Sequence, residues 1–453
     1  MSFIADKQTL QDLNLLGKYK QNSIYNLFNK VKTSGGERLL EKMFNHPLTD
    51  PGAINSRSSI FKYFQDINRE FPFQQETFKV TENYLSMRTS GNMIGSITGI
   101  FSKKISGSLL HDDQFQVIEH EVRTSIGALS TLRSFLNTLA EEKDSPFREQ
   151  LRIAKAIFSD ARLGWLSEWK DTKHLSVFKL AKYDRLLRHT FKKEMAQLLE
   201  IIYQLDVYIG VSHIARIKKF SYALALPKEK NEYYTIGLRH PALENAVGNP
   251  LSFNMTRNLL FLTGVNMAGK STFMKAFGIS IYMAHMGFPV AAEEMVFSVK
   301  DGLYSSINVP DNLNLGLSHF YAEVLRVKKV AIEVASGKDL LIIFDELFKG
   351  TNVMDAFDAT LAVTGSFSKY RNCFFIISTH ITEVGAALKE KFNNVNFACL
   401  PAIVKEGIPK YTYQLEEGIT TDRQGMKIIE NEGIIQLIRT ERYPAKSVSD
   451  HEI

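Results

Sequence analysis

Residues 259–272 read Leu-Leu-Phe-Leu-Thr-Gly-Val-Asn-Met-Ala-Gly-Lys-Ser-Thr. They contain Gly264-x-x-x-x-Gly269-Lys270-Ser271, the full phosphate-binding loop pattern. Leu259 to Leu262 is a short apolar run, as a buried parallel strand would be. From Thr272 to Gly287, Phe273, Phe277, Ile281 and Ala284 recur at helical spacing. The glycines therefore sit between a strand and a helix start. Such a loop turns successive N–H groups inward, making a nest for phosphate oxygens. The helix N-terminus adds partial positive charge. Lys270 is placed to reach the β- and γ-phosphates of a nucleotide, and Ser271 to ligate Mg2+.

A second apolar run, Leu340 to Phe344, ends in Asp345-Glu346. Ligands of parallel sheets sit at the carboxyl ends of strands. Asp345 there would hold Mg2+, and Glu346 would take the proton from an attacking water. Phe375-Ile376-Ile377-Ser378-Thr379-His380 repeats the design, and His380 is placed to sense the γ-phosphate. Gly316 to Glu323 lies between these motifs, and alone its Ser318 suggests no more than a helix cap.

The 453 residues allow two or three domains. A net charge of +6 is compatible with a nucleic-acid partner. Cys373 and Cys399 are the only cysteines and belong to no metal-spacing motif, so reduced thiols and no zinc are expected. The N-terminus lacks a basic region followed by an apolar core, and the longest apolar runs are too short to span a bilayer. No signal peptide, no membrane partner and a cytoplasmic location follow as expectations.

Along the first half, Glu37 to Phe44 reads as a helix stopped at His46-Pro47. Asp50 suits the N-cap of the next helix and Pro51 its first position. Residues 89–108 are rich in Gly, Ser and Thr and predict a loop or helix break with packed apolar residues. Helical patterning returns over 112–170. Over 183–220, Leu187, Phe191, Met195, Leu198, Ile202, Leu205 and Ile209 step by three and four, which predicts one unbroken helix of about 57 Å, a strut or lever. Residues 173–193 carry seven Lys or Arg against one acid, Asp184. Lys182, Arg185, Arg188, Lys192 and Lys193 are the candidate contacts to a phosphate backbone, with a solvated face as the plain alternative. The polar stretch from Pro227 to Asn231 places a boundary near 228: a helical domain over 1–228 and a second over 229–453. In the second, strands alternate with helices, which argues for a parallel sheet with crossover helices.

The order of Thr263-Gly264-Val265-Asn266-Met267-Ala268-Gly269-Lys270-Ser271-Thr272, Ser318-x-Phe320-x-x-Glu323, Asp345-Glu346-x-x-x-Gly350-Thr351 and Ser378-Thr379-His380 resembles the MutS family of ATPases. Arg239-His240-Pro241 and, more loosely, Gly418 to Gly433 look like other parts of that family's ATPase domain. Ser34 to Leu40 with Pro47 and Asp50 looks like the start of its core domain, and Leu205-Asp206-Val207 with Arg216 like its return lever. The resemblance implies an all-α core/lever domain over 1–228 and an ABC-type P-loop ATPase domain, of α/β class, over 229–453. It implies ATP and Mg2+ as cofactors, with Gly264, Asn266, Met267, Ala268, Gly269, Lys270, Ser271 and Thr272 binding ATP. Ser271 and Asp345 would hold Mg2+, and Lys270, Glu346 and His380 would be catalytic. It further implies a homodimer on double-stranded DNA, mismatched or branched, with a further repair protein as a possible partner, associated with the nucleoid in a bacterium. Ser318 would reach the nucleotide of the partner copy, with Asn352 and Asp355 near the dimer face.

This sequence departs from the family pattern in places. It begins about where the core domain begins, so the mismatch-recognition and connector domains are expected to be absent, and the short segment between the levers implies a reduced clamp. Residues 318–319 are Ser-His where the family has Ser-Thr, and Lys349 stands at an arginine position. No aromatic between 241 and 258 matches the family's adenine-stacking residue, which leaves Tyr413 or Gln414 as candidates. Two functions fit: a DNA-dependent or DNA-modulated ATPase of mismatch repair or related repair and recombination, or an ATP-gated dimeric scaffold for a protein or ribonucleoprotein.

Overall fold

The computed structural model describes residues 2–17, 22–86, 112–140, 145–169, 174–307, 319–405, 408–420, 429–430 and 433–440. The loop expected over 89–108 and Ser318 lie outside them. Contacts divide the chain into two units. One comprises Met1–Asn231, Pro241–Glu244 and Ile279–Asp301; the other Glu232–His240, Asn245–Gly278 and Gly302–Ile453. The division does not follow a single cut at 228, because Pro241–Glu244 and Ile279–Asp301 make their contacts with the first unit.

The first unit is built on helices α1 (Ser34–Asn45), α2 (Pro51–Ile67), α3 (Gln75–Ser86), α4 (Asp112–Ala140), α5 (Arg148–Phe158), α6 (Val177–Arg185) and α7 (Lys192–Lys218). The caps are local. The Thr33 hydroxyl accepts from Gly36 N at 2.9 Å to start α1, and the Asp50 carboxylate accepts from Ala53 N at 2.6 Å to start α2, with Pro51 in its first turn. Asn68 closes α2 in the left-handed conformation at φ 47°. Helix α7 packs against α1, α2, α3 and α5. Phe28, Phe44 and Phe61 surround Phe288, with ring centroids 4.8–5.9 Å from it. Each such buried ring contributes about 1.5–3 kcal/mol.

The long helix expected over 183–220 is interrupted. Helix α6 runs into a π turn over Leu186–Thr190, closed by a hydrogen bond from Phe191 N to Leu186 O at 2.8 Å, and α7 begins only at Lys192. A five-residue hydrogen bond inserts one extra residue into the turn. The apolar steps of three and four continue across this point, so periodicity does not reveal it. Within this turn Arg188 is buried, at 6% exposure, where Nη1 lies 3.4 Å from Asp184 Oδ1 and the guanidinium 5.1 Å above the Tyr84 ring. The 27 residues of α7 span about 40 Å. By length and hydropathy α7 would cross a membrane, but 83% of its apolar window is buried inside the protein. Core packing accounts for its composition.

In the second unit β1 (Tyr233–Leu238) and β2 (Asn249–Phe253) form an antiparallel pair. The main sheet takes β3 (Leu259–Gly264), β4 (Gly302–Ser306), β5 (Leu340–Phe344), β6 (Phe374–Ser378), β7 (Val395–Leu400) and β8 (Glu416–Glu417) in the order β4-β5-β6-β3-β7-β8. All neighbours are parallel except β7 and β8. Every residue of β3, β5 and β6 is buried, as expected of strands covered on both faces. Helix α8 (Lys270–His285) follows β3, α9 (His319–Ala335) precedes β5, α10 (Val353–Phe367) joins β5 to β6, and α11 (Thr382–Lys391) joins β6 to β7. The expected strand–helix alternation holds from β4 through α9, β5, α10, β6 and α11 to β7, whereas β1, β2 and β3 follow one another with no helix between them. The carboxyl ends of β3, β5 and β6 lie at one edge of the sheet, since all three run parallel with β6 between the others.

Candidate functional site

The loop after β3 has the backbone its glycines anticipate. Gly264 has φ +149° and Gly269 φ +99°. A side chain at Gly264 would meet Leu400 O at 2.9 Å, and one at Gly269 would meet the Tyr413 ring at 3.2 Å. Met267 also takes positive φ, at +68°, and is 76% exposed; Asn266, Ser271 and Thr272 are exposed and Ala268 is buried. Lys270 opens α8. Its ammonium donates to Gly264 O at 2.7 Å and to Val265 O at 3.3 Å. Burial lowers its pKa, opposed by the charges of Asp345 and Glu346.

A chain of hydrogen bonds joins the strand ends. Ser271 Oγ donates to Asp345 Oδ2 at 2.5 Å, and Ser378 Oγ donates to Asp345 Oδ1 at 2.5 Å. The Glu346 N–H donates to Ser378 Oγ at 3.3 Å. Glu346 Oε1 lies 2.5 Å from His380 Nε2, and Lys349 Nζ lies 3.4 Å from Glu346 Oε2. A carboxylate only accepts, so Nε2 carries the proton in this pair. The hydrogen bond from His380, outweighing burial and aided by the charges of His380 and Lys349, holds the Glu346 carboxyl down to about 2. Glu346 is thus an ionised acceptor at neutral pH.

Lys270, Ser271, Asp345, Glu346 and His380, separated by as many as 110 positions in the chain, stand together. Ser378, which links Asp345 to Glu346, is the member whose role the sequence did not announce; its signal was only a polar residue ending an apolar strand. Ser271 and Asp345 are hard oxygen donors in direct contact, which suits Mg2+. Among the described residues no three His, Cys, Asp or Glu form a metal cluster. Mg2+ fits such a site, because it keeps waters and phosphate oxygens as ligands beside one or two protein groups.

Tyr413, rather than Gln414, is the residue placed against the loop. Its ring faces Gly269, its backbone is left-handed at φ +56°, and its carbonyl accepts from Asn249 Nδ2 at 3.0 Å. Asn352 and Asp355 are exposed and form the cap of α10: Asp355 N donates to Asn352 Oδ1 at 2.9 Å. In the basic run, Lys182, Arg185, Lys192 and Lys193 are exposed, whereas Arg188 is not: its pairing with Asp184 withdraws it from any phosphate-contacting face.

The family model for MutS domain V matches residues 260–444, and that for MutS domain III matches residues 8–212. The DNA mismatch repair protein MutS of Thermus thermophilus is 29% identical over 489 residues, covering 91% of this chain and 59% of the relative. That of Thermosipho melanesiensis is 21% identical over 520 residues, covering 95% of this chain and 62% of the relative. That of Petrotoga mobilis is 26% identical over 252 residues, covering 54% and 30%. The chain spans less than two thirds of the length of each of these relatives.

Proposed function

This chain belongs to the MutS family, and on that premise we propose that it hydrolyses ATP to drive closure of a homodimer on double-stranded DNA in mismatch repair or related repair and recombination. The supporting observation is the convergence of Lys270, Ser271, Asp345, Glu346 and His380 at the carboxyl edge of one parallel sheet. Residues 229–453 are read as an ABC-type P-loop ATPase domain and 1–228 as the core/lever domain.

In this mechanism the loop N–H groups of 264–272 and the N-terminus of α8 cradle the phosphates of ATP. Lys270 leaves its two loop carbonyls to meet the β- and γ-phosphates. Ser271 and Asp345 would hold Mg2+, which when bound would supply charge neutralisation to the phosphates. Glu346, ionised in its pair with His380, orients the attacking water in line with the γ-phosphate and can take its proton. His380 holds the Glu346 carboxylate until the γ-phosphate competes for Nε2–H. Ser318 from the partner copy and Tyr413 against the base complete the proposed nucleotide site.

The test is steady-state ATP hydrolysis without DNA, with perfect duplex, with mismatched duplex and with a four-way junction, using Glu346→Ala as blank. Stimulation confined to mismatch or junction supports structure-specific repair. Equal stimulation by all DNAs supports a non-specific clamp. One observation favours the scaffold reading: Arg188 is lost from the basic run, which leaves fewer cations for DNA. Under that reading no DNA stimulates hydrolysis, and charge reversal at Lys182, Arg185, Lys192 and Lys193 leaves DNA affinity and its salt slope unchanged.

A further inference from the structure

The turn after β5 carries two non-glycine residues in the left-handed region, Glu346 at φ +55° and Phe348 at φ +61°. Each costs about 1–2 kcal/mol and persists only where the surroundings over-determine it. Three elements do so here, one residue each. The Glu346 N–H donates to Ser378 Oγ at the end of β6, and Thr360 Oγ1 of α10 donates to Leu347 O at 3.4 Å. The buried Phe348 N–H donates to Glu323 Oε1 of α9 at 2.7 Å. Glu323 is 3% exposed. Phe320, three residues earlier and so on the same face of α9, meets the Phe348 ring edge-on at 6.1 Å. Helix α9 is itself fixed, because Arg326 Nε donates to Ser305 O at the end of β4, the strand beside β5.

We propose that Glu323 is a positioning residue for Glu346. Its carboxylate holds the backbone of Phe348, and through it the strained turn that aims Glu346 at the phosphate loop. This gives the Phe320-x-x-Glu323 pair a role distinct from nucleotide contact. Without the carboxylate a buried N–H loses its partner and the turn loses one of three restraints. The proposal rests on Glu346 acting on the attacking water.

The experiment compares wild type, Glu323→Ala and Glu323→Gln, whose amide oxygen keeps an acceptor in place. Steady-state kcat and KM, ADP affinity and hydrogen exchange at the Phe348 amide are measured on the full chain. Glu323→Ala is expected to lower kcat about 10- to 100-fold, as displacement of a reacting group does, with ADP affinity within about twofold of wild type. Exchange at Phe348 should rise about tenfold or more. Glu323→Gln should restore kcat and protection to within about threefold. The proposal is overturned by an unchanged kcat in Glu323→Ala, by ADP affinity falling in step with kcat, or by Glu323→Gln failing as badly as alanine. Should Glu323→Ala not fold, Glu323→Asp carries the same expectations, since it retracts the acceptor by one methylene and keeps the charge. A wild type that turns over no ATP overturns the proposed function instead. Exchange then still decides the clamp, and equal Phe348 protection in wild type and Glu323→Ala overturns it.

Discussion

His380 Nε2 lies 2.5 Å from Glu346 Oε1, across the ends of two adjacent parallel strands. The contact sets the charge of the site. It holds the Glu346 carboxyl down to about 2, so the pair stabilises the fold above the ordinary glutamate value, and that stability is lost as pH falls through about 2. His380→Ala should raise the Glu346 titration toward the ordinary glutamate range, with the Lys349 charge still holding it down in part. Carboxyl NMR on a glutamate-labelled protein reads this directly, and a midpoint left near the wild-type value would refute the assigned cause.

Ser378 serves two neighbours at once, donating to Asp345 Oδ1 and accepting from Glu346 N. Ser378→Ala leaves both without it, at a cost of about 1–3 kcal/mol for the unsatisfied groups. ATP turnover should fall about 10- to 100-fold with a smaller change in KM. Rapid-quench measurement of the hydrolysis step separates that loss from slow product release.

The Tyr413 ring stands against Gly269 of the phosphate loop. If it supports the base of the nucleotide, Tyr413→Ala removes a stacking partner worth about 1–3 kcal/mol, and Tyr413→Phe does not. Titration with ADP by calorimetry should show about a tenfold loss for alanine and near-wild-type affinity for phenylalanine. Equal losses in both would assign the hydroxyl instead.

Arg188 and Asp184 are both buried, and the Tyr84 hydroxyl donates to the same Asp184 Oδ1 at 2.7 Å. Removing the cation leaves a buried carboxylate uncompensated, so Arg188→Ala should destabilise by about 3–5 kcal/mol. Urea unfolding measures it. Lys192→Glu and Lys193→Glu, both at exposed positions, should change stability by no more than about 0.5 kcal/mol.

Asp206, in the middle of α7, accepts from Lys32 N at 2.9 Å, Thr33 N at 2.8 Å and Thr33 Oγ1 at 2.7 Å, just ahead of α1. Asp206→Ala strands the buried Thr33 amide and should cost about 1–3 kcal/mol or more. Faster amide exchange at Lys32 and Thr33 would mark the loss as local, and unchanged exchange there would contradict it.

Local chemistry made much of this protein legible in its sequence. The phosphate loop declared itself because eight adjacent residues carry the glycines, lysine and serine that a phosphate nest needs. Asp50-Pro51 marked a helix start because capping depends on neighbours three residues away. The apolar runs before Asp345 and Ser378 marked buried strands because both of their faces are covered. What tertiary structure alone decided are relations between distant residues. Strand order sets Ser378 between Asp345 and Glu346, and helix α9 brings Glu323 to Phe348. Arg188, in the π turn at 186–190, lies inside, although the sequence pattern around it reads as continuous helix and its charge as surface. Hydrophobic spacing records which apolar residues are buried, but it carries no sign that a cation among them faces a buried carboxylate and an aromatic ring. The partners that receive Arg188 inside are Asp184, one turn away, and Tyr84, on another helix about a hundred positions away.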